Sequence, residues 1–491
     1  MARGARQPAV VLVVLSLLVV AVRAEAESRP GYGGAVTGTL LGQPSTFDPT
    51  EARAPADLAV VGLVFDTLYR IGPDGRIGLG LAADFPAVSG GKSRIAIRPG
   101  VHFHNGATLS AGDVAASLTR VKASASAGWV LAAVDDIAVE GDAIVLGTNR
   151  KDLAQLLAAP ATSITPRGAA PRASAPIGSG PFRLAVIRKD RLELEAYAEH
   201  FAGRPYLDRV TLRWFTAADG EARLYETGGA DWSLRGATAF AKGAPKHPTD
   251  QLDGPATVLV YLGFGAGHAP ITGNRDFRAA VDAALARGGL DQVGAGERVV
   301  PTIDPVPLDL GGPELPAAAH DARLGEAQAA LARAAKATPA LAPAVIGKTS
   351  LEILVDASRP DDREIAERVV VALDKLGLGG TIAPVPAPEL ARRLAAGTCD
   401  LYIGQLAVAV GSPAMMFAAA YAVGGERDTA AKLASGPVVL ARARADFGQR
   451  LPIVPLLARG LRVYYRRDLR GLWFDGAAQM GLADLFLWGR R

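Results

Sequence analysis

The sequence predicts an α/β protein with more than one core, and three observations carry that expectation. At 491 residues the chain exceeds the length over which a single hydrophobic core keeps growing. Its first half alternates strand-period and helix-period segments in a strand-rich, α+β manner. Residues 351–408 instead read as an uninterrupted β-α-β-α-β run, which predicts a parallel sheet with crossover helices.

The elements follow in order. Between Ser93 and Arg98, Ile95 and Ile97 alternate with Arg94 and Arg98, the period of a half-buried strand. Ser110 and Asp113 have the spacing of a capping box, and Val114, Leu118 and Val121 then share one helical face. Leu184 and Val186, then Leu192, Leu194 and Ala196, flank the polar Lys189-Asp190 turn of a hairpin over Arg183 to Ala196. Phe277, Ala280, Val281, Ala284 and Leu285 line one face of a helix over Asp276 to Leu285. In the parallel run, Leu351 to Val355 is a strand. A helix from Asp361 carries Ile365, Val369, Leu373 and Leu376 and stops at Gly377. Thr381 to Val385, a short helix over Pro388 to Ala395 and an apolar strand over Asp400 to Val408 complete it. The Ala/Pro/Gly-rich passages Gly311 to Ala319 and Ala334 to Gly347 read as loops or frayed helix ends, and there is no internal repeat.

Composition excludes several classes. Hydrophobic residues make up 49% and charged residues 21%, the balance of a folded globular chain rather than a disordered one. The formal charge of +4 is spread along the sequence without a basic stripe, so nucleic acid is not an expected partner. The first 26 residues have the make-up of a cleavable signal peptide. Arg3 and Arg6 precede an apolar run from Ala9 to Val22, and Val22-Arg23-Ala24 or Ala24-Glu25-Ala26 supplies small residues for a peptidase. That run is shorter than the ~20 residues of a spanning helix, so a soluble protein in the periplasm is expected. The single cysteine, Cys399, rules out an internal disulfide and lies far from any lipid-attachment position.

Several stretches, in the same order, resemble family 5 of the extracellular solute-binding proteins, the peptide- and nickel-binding components of ABC importers. Gln43-Pro44-Ser45-Thr46-Phe47-Asp48-Pro49 is similar to the family's opening segment. Phe65-Asp66-Thr67-Leu68-Tyr69 with Asp74-Gly75 looks like the helix and turn that follow, and Leu81-Ala82 like its next step. Ile97-Arg98-Pro99-Gly100-Val101-His102-Phe103-His104-Asn105-Gly106, with Leu109 to Val114, resembles the family's most recognisable stretch. Pro176 to Phe182 is similar to its glycine-rich turn and Tyr197 to Val210 to the step after it. Tyr261 to Phe264, Phe277 to Ala280 and the parallel run extend the match to about Leu457.

The resemblance implies a periplasmic-binding-protein-like architecture of class II, with two lobes around a cleft. Lobe one would hold residues 34–57, 167–255 and 458–491, with an inserted subdomain at 58–166; lobe two would hold residues 256–457. Hinge crossings are expected near Val258 to Phe264 and Leu451 to Leu457. It further implies a non-enzymatic, monomeric protein that binds a small-molecule or peptide ligand, delivers it to ABC permease subunits, and needs no cofactor and no metal. The alternatives are a ligand sensor or scaffold without transport and, behind these, a periplasmic hydrolase using Ser179.

The sequence departs from the family where peptide-binding members carry an aromatic and an acidic residue that pairs with the peptide ammonium. Here Leu406-Ala407-Val408-Ala409-Val410-Gly411-Ser412-Pro413 has no charge, with Leu406 and Ala409 at about those two positions. An ammonium buried without a partner is costly, so an apolar or weakly polar solute is expected instead. Gly265 likewise stands where the family has an asparagine. Candidate ligand-binding residues are Phe47, Trp232, Phe264, Leu406, Ala409, Met415, Met416 and Tyr421, with Phe417 beside them. Met415, Met416 and Phe417 read equally as core residues of a following helix, and Trp232 equally as a packed aromatic. His102 and His104, two apart, could share a metal, but with Val101 and Phe103 as the core face they are expected to face solvent. No sequence-visible base accompanies Ser179, which lies outside any GxSxG motif.

Overall fold

A computed structural model describes residues 30–169, 175–234, 245, 249–293, 298–407, 412–476 and 479–489. Residues 1–26, read from the sequence as a signal peptide, lie outside them, and no helix among the described residues is long and apolar enough to cross a membrane.

Two large mixed sheets organise the chain. The first has seven strands in the order Thr249–Asp253, Arg462–Arg466, Trp232–Ser233, Ala35–Thr39, Arg209–Arg213, Arg191–Ala196 and Phe182–Ile187. The second has six, in the order Val299–Pro301, Val454–Arg459, Val258–Phe264, Leu401–Leu406, Ser350–Asp356 and Gly379–Val385. Each sheet has its own apolar core, so the molecule is a two-lobed α/β protein. A four-stranded antiparallel sheet, Ala87–Ser89, Lys92–Ala96, Ala143–Leu146 and Ile137–Glu140, forms a third, smaller body with the helix Ala111–Ala123.

The local patterns explain these elements. Ser110 accepts from the Asp113 amide at 3.3 Å while Asp113 accepts from the Ser110 amide at 2.9 Å, closing the capping box. Val114, Leu118 and Val121 of the helix that follows are fully buried. Ser350–Asp356 pairs in parallel with both Gly379–Val385 and Leu401–Leu406, as the β-α-β-α-β reading requires. The sheet as a whole is mixed, because Val258–Phe264 pairs antiparallel with Leu401–Leu406 and with Val454–Arg459. The helix Leu324–Ala337 escaped the sequence reading, which assigned only its last turn to a loop; it buries nothing larger than Ala327, Ala330 and Ala334. Phe65 to Tyr69 is not a helix. The helix is Pro55–Val64, and Phe65 to Tyr69 leads into a hairpin with Asp74-Gly75 at its turn.

The segments expected as hinge crossings, 258–264 and 451–457, are instead largely strands inside the second sheet. The chain passes between the sheets at 254–257 and 460–461. These two passages lie side by side: the Gly254 amide donates to the Leu461 carbonyl at 2.8 Å, and a Cβ on Gly460 would stand 2.5 Å from the Gly254 carbonyl oxygen. Only glycine admits that approach.

The small body does not pack on the first lobe alone. One apolar cluster joins its Val114, Leu118 and Ile144 to Leu406, Met415 and Phe417 of the second lobe. The lobes therefore stand closed against each other. Their backbones bond directly, Ala407 N–H to the Arg53 carbonyl at 3.1 Å, and Gln43 N–H reaches Ser358 Oγ at 2.7 Å.

Candidate ligand site between the lobes

The C-terminal ends of the strands Ser350–Asp356 and Leu401–Leu406 face the first lobe, the edge at which open α/β sheets bind ligands. At this edge the second lobe presents an apolar end and an ionic end. The apolar end holds a cavity of about 60 Å³, walled by Thr50, Arg53 and Leu58, by Trp129 and Leu156 of the small body, and by Leu406, Met415 and Ala419. Every part of the molecule thus contributes to one mostly apolar chamber. It has room for about two water-sized molecules, well below the ~300–1,000 Å³ of a typical small-molecule site. A larger solute requires the lobes to part.

Farther along the same two strands, Tyr261 and Tyr402 meet edge to face at 5.9 Å. Burial raises the pKa of both hydroxyls above the ordinary tyrosine value, so both stay neutral. Arg120 reaches across from the small body to Asp48 at 2.7 Å. Burial alone would raise the Asp48 carboxyl, but Arg120 and the Thr50 hydroxyl outweigh it and hold the group below its usual range. This pair ties the opening segment to the wall of the chamber.

The ionic end is largely desolvated, with Arg359, Asp356, Asp362 and Arg459 buried. Arg359 contacts Asp362 at 2.7 Å and Asp356 at 3.4 Å, and Arg459 contacts Asp361 at 3.3 Å. Asp57 of the first lobe accepts from Ser45 N–H at 2.6 Å, and its carboxyl is raised by burial. Burial likewise pushes Asp362 up to about 6, against the pull of Arg359. The network is incompletely saturated: Asp362 Oδ1 and both amide atoms of the neighbouring sheet residue Gln405 are buried without a hydrogen bond.

The expected site residues separate accordingly. Leu406 and Met415 line the chamber. Met416 and Tyr421 are buried in the core on the helix Pro413–Val423, Tyr421 lying against Phe447 at 5.7 Å, and Phe417 is buried with them. Trp232 is also a core residue, completely buried, its indole lying against Gly38 and donating to the Thr39 carbonyl at 3.1 Å. Phe47 packs half-buried on the first-lobe core. Phe264 is at the wrong end of its strand. Leu259 pairs with Leu406 and Phe264 with Leu401, which places Phe264 about 17 Å from the chamber edge, where Arg278 stacks on it at 4.8 Å. Gly265 is beside it, not near the hinge, and a Cβ there would stand 2.3 Å from the Cys399 sulfur and carbonyl oxygen, so a side chain has no room. Ala409 lies outside the described residues.

Sequence reasoning missed Trp129, Val130 and Leu156, which close the chamber from the small body. The apolar run Trp129-Val130-Leu131 was the available sign, but its partner is some 280 residues away and no local pattern reveals it. Val101 and Phe103 are buried as expected, whereas His104 does not face solvent. Its Nε2 bonds the Gly180 carbonyl at 2.9 Å and its Nδ1 stands 3.4 Å from the Gly178 amide, so neither ring nitrogen is open to a metal. Ser179 is completely buried and donates to Asp66 at 3.0 Å. A carboxylate in that position accepts the hydroxyl, and among the described residues no histidine bonds the Ser179 oxygen as a general base would.

Two lobes joined by paired crossings, with a chamber walled from both sides, define a solute-binding protein of the two-lobed kind. The family model for bacterial extracellular solute-binding proteins, family 5, matches residues 77–427, and the chain belongs to that family. A curated relative is the oligopeptide-binding protein AppA of Bacillus subtilis (strain 168), 24% identical over 306 residues; the match covers 58% of this chain and 56% of AppA, about half the length of that relative. Among solved structures, AppA in complex with a nonapeptide superposes with a TM-score of 0.73 at 17% identity, over 94% of this chain and 100% of AppA. Haemophilus influenzae OppA in complex with RPPGFSPFR gives 0.77 at 15% identity, over 94% and 100%. NikA of Staphylococcus aureus in complex with Ni(L-His)2 gives 0.72 at 16% identity, over 92% and 99%. These relatives are binding proteins.

Proposed function

We propose that the chain is exported to the periplasm, captures a small apolar or weakly polar solute between its lobes and hands it to the permease of an ABC importer. One observation carries the reading: a single mostly apolar chamber walled by both lobes and the small body at once. A ligand there stabilises the closed form only to the extent that it touches both sides, which is how capture becomes a signal to a permease. The uncharged run from Leu406 to Ser412 supports an apolar cargo over a free peptide ammonium, which would need a carboxylate partner.

The test is a thermal-shift screen of apolar metabolites, metal chelates and short peptides, followed by scattering measurements of lobe closure. An apolar solute is expected to raise the melting temperature. Met415→Trp, which fills the chamber, should abolish the shift while leaving the protein folded. Tight binding of a peptide through its free N-terminus would overturn the apolar assignment. Absence of any permease-dependent uptake would overturn transport and leave a sensor.

A further inference from the structure

The walls of the lobe chamber are uncharged with one exception. Among the described residues that line it, Arg53 alone carries a charge, and no carboxylate accompanies it. The Arg53 main chain is committed, its carbonyl accepting from Ala407 N–H at 3.1 Å and its amide donating to Asp57 at 3.4 Å. Its guanidinium has no hydrogen bond and no ion pair with any described residue.

The acids nearest to it in the chain are spent. Asp57 accepts from the Ser45 amide at 2.6 Å, from the Ser45 hydroxyl at 3.0 Å and from the Ala54 amide at 3.3 Å. Asp48 is held by Arg120 at 2.7 Å, and Glu51 is engaged as well. The field of the guanidinium extends across the interface. Burial raises the pKa of the Tyr261 and Tyr402 hydroxyls in the second lobe, and at both the charge of Arg53 opposes that rise.

A cation beside apolar walls, with no counter-charge of its own, favours a ligand that supplies one, because attraction between charges strengthens as water is excluded. One positive charge matches one negative charge; a phosphate dianion would bring more charge than the lining balances. The planar fork of a guanidinium fits a carboxylate through two parallel hydrogen bonds. The same charge repels an ammonium, in keeping with the lack of any acid from Leu406 to Pro413.

We propose that the solute is a small monocarboxylic acid with an apolar body, its carboxylate on Arg53 and its body against Trp129, Leu406 and Met415. This rests on the reading of the chamber as the solute site and names the chemical class it takes. The test is isothermal titration of the full chain, near neutral pH, with one body carrying three different heads: phenylacetate, phenylacetamide and phenethylamine, and likewise octanoate, octanamide and octylamine. At least one acid is expected to bind about tenfold more tightly than its amide, and neither amine to bind. Arg53→Met keeps the length but not the charge and should bring acid and amide within about twofold; Arg53→Lys, which keeps the charge and loses the fork, should retain part of the preference. Because the guanidinium has no protein partner to lose, Arg53→Met should melt no lower than the parent without ligand, whereas a structural arginine would lower the melting temperature. The inference is overturned if neither acid binds at about 10 mM, if an amide binds as tightly as its acid, or if Arg53→Met keeps the preference for the acid. Equal binding of acid and amide, abolished by Met415→Trp, would sink the carboxylate while leaving an apolar solute in the chamber. An acid that binds through Arg53 without closing the lobes in scattering would instead sink capture and leave the anion site.

Discussion

The two ends of the lobe interface are built from opposite chemistry. At one end Leu406, Met415 and Trp129 meet around a small chamber. At the other, Arg359 with Asp356 and Asp362, and Arg459 with Asp361, form buried ion pairs. Apolar contact is non-directional and tolerates a guest that substitutes for one wall. Desolvated ion pairs have strict geometry and lose heavily when one member is missing. The contrast suggests a division of labour in which the ionic end sets how the lobes meet and the apolar end is left adaptable.

The sharpest way to break that comparison is Arg359→Met. It leaves Asp356 and Asp362 buried without their common cation and should cost about 3–5 kcal/mol in urea unfolding. A loss under about 1 kcal/mol would mean that the ionic end does not set the closed geometry. Next, Leu406→Ala at the apolar end should cost about 2–3 kcal/mol while enlarging the chamber, so an apolar solute that the parent excludes should bind the variant. A loss of stability with no gain in ligand range would argue that the chamber is ordinary core.

The smallest effect is a pH slope. Asp362 in the folded protein titrates near 6, above its ordinary value of 3.8, so the folded state holds an extra proton between those limits. Its contribution to stability is therefore complete below about pH 4 and is lost as the pH rises through about 6. Comparing the parent with Asp362→Asn across that window should show the parent falling more steeply, by no more than about 1.4 kcal/mol per pH unit. Parallel curves would mean that the carboxyl is already ionised through its contact with Arg359.

Much of the local structure was legible because its causes are local. The capping box at Ser110, the face of Val114, Leu118 and Val121, the hairpin about Lys189-Asp190 and the parallel run from Leu351 each rest on residues within a few turns of one another. The candidate site was only partly legible. Leu406 and Met415 line the chamber, but Phe264 is at the far end of its strand and Trp232 is spent on covering Gly38. Position along a strand decides which edge a residue reaches, and that depends on register with strands far away in the chain.

By itself the sequence determined the α/β class, the family and the uncharged run after Leu406, all carried by residue identity and short-range period. Only the tertiary structure decided that the small body shares its core with the second lobe, that the crossings are at 254–257 and 460–461, and that the ionic and apolar ends lie along one interface. The physical reason is distance along the chain. Trp129 and Met415, or Asp57 and Arg359, interact only after both lobes have formed and met, and no periodicity in either segment encodes where the other will be.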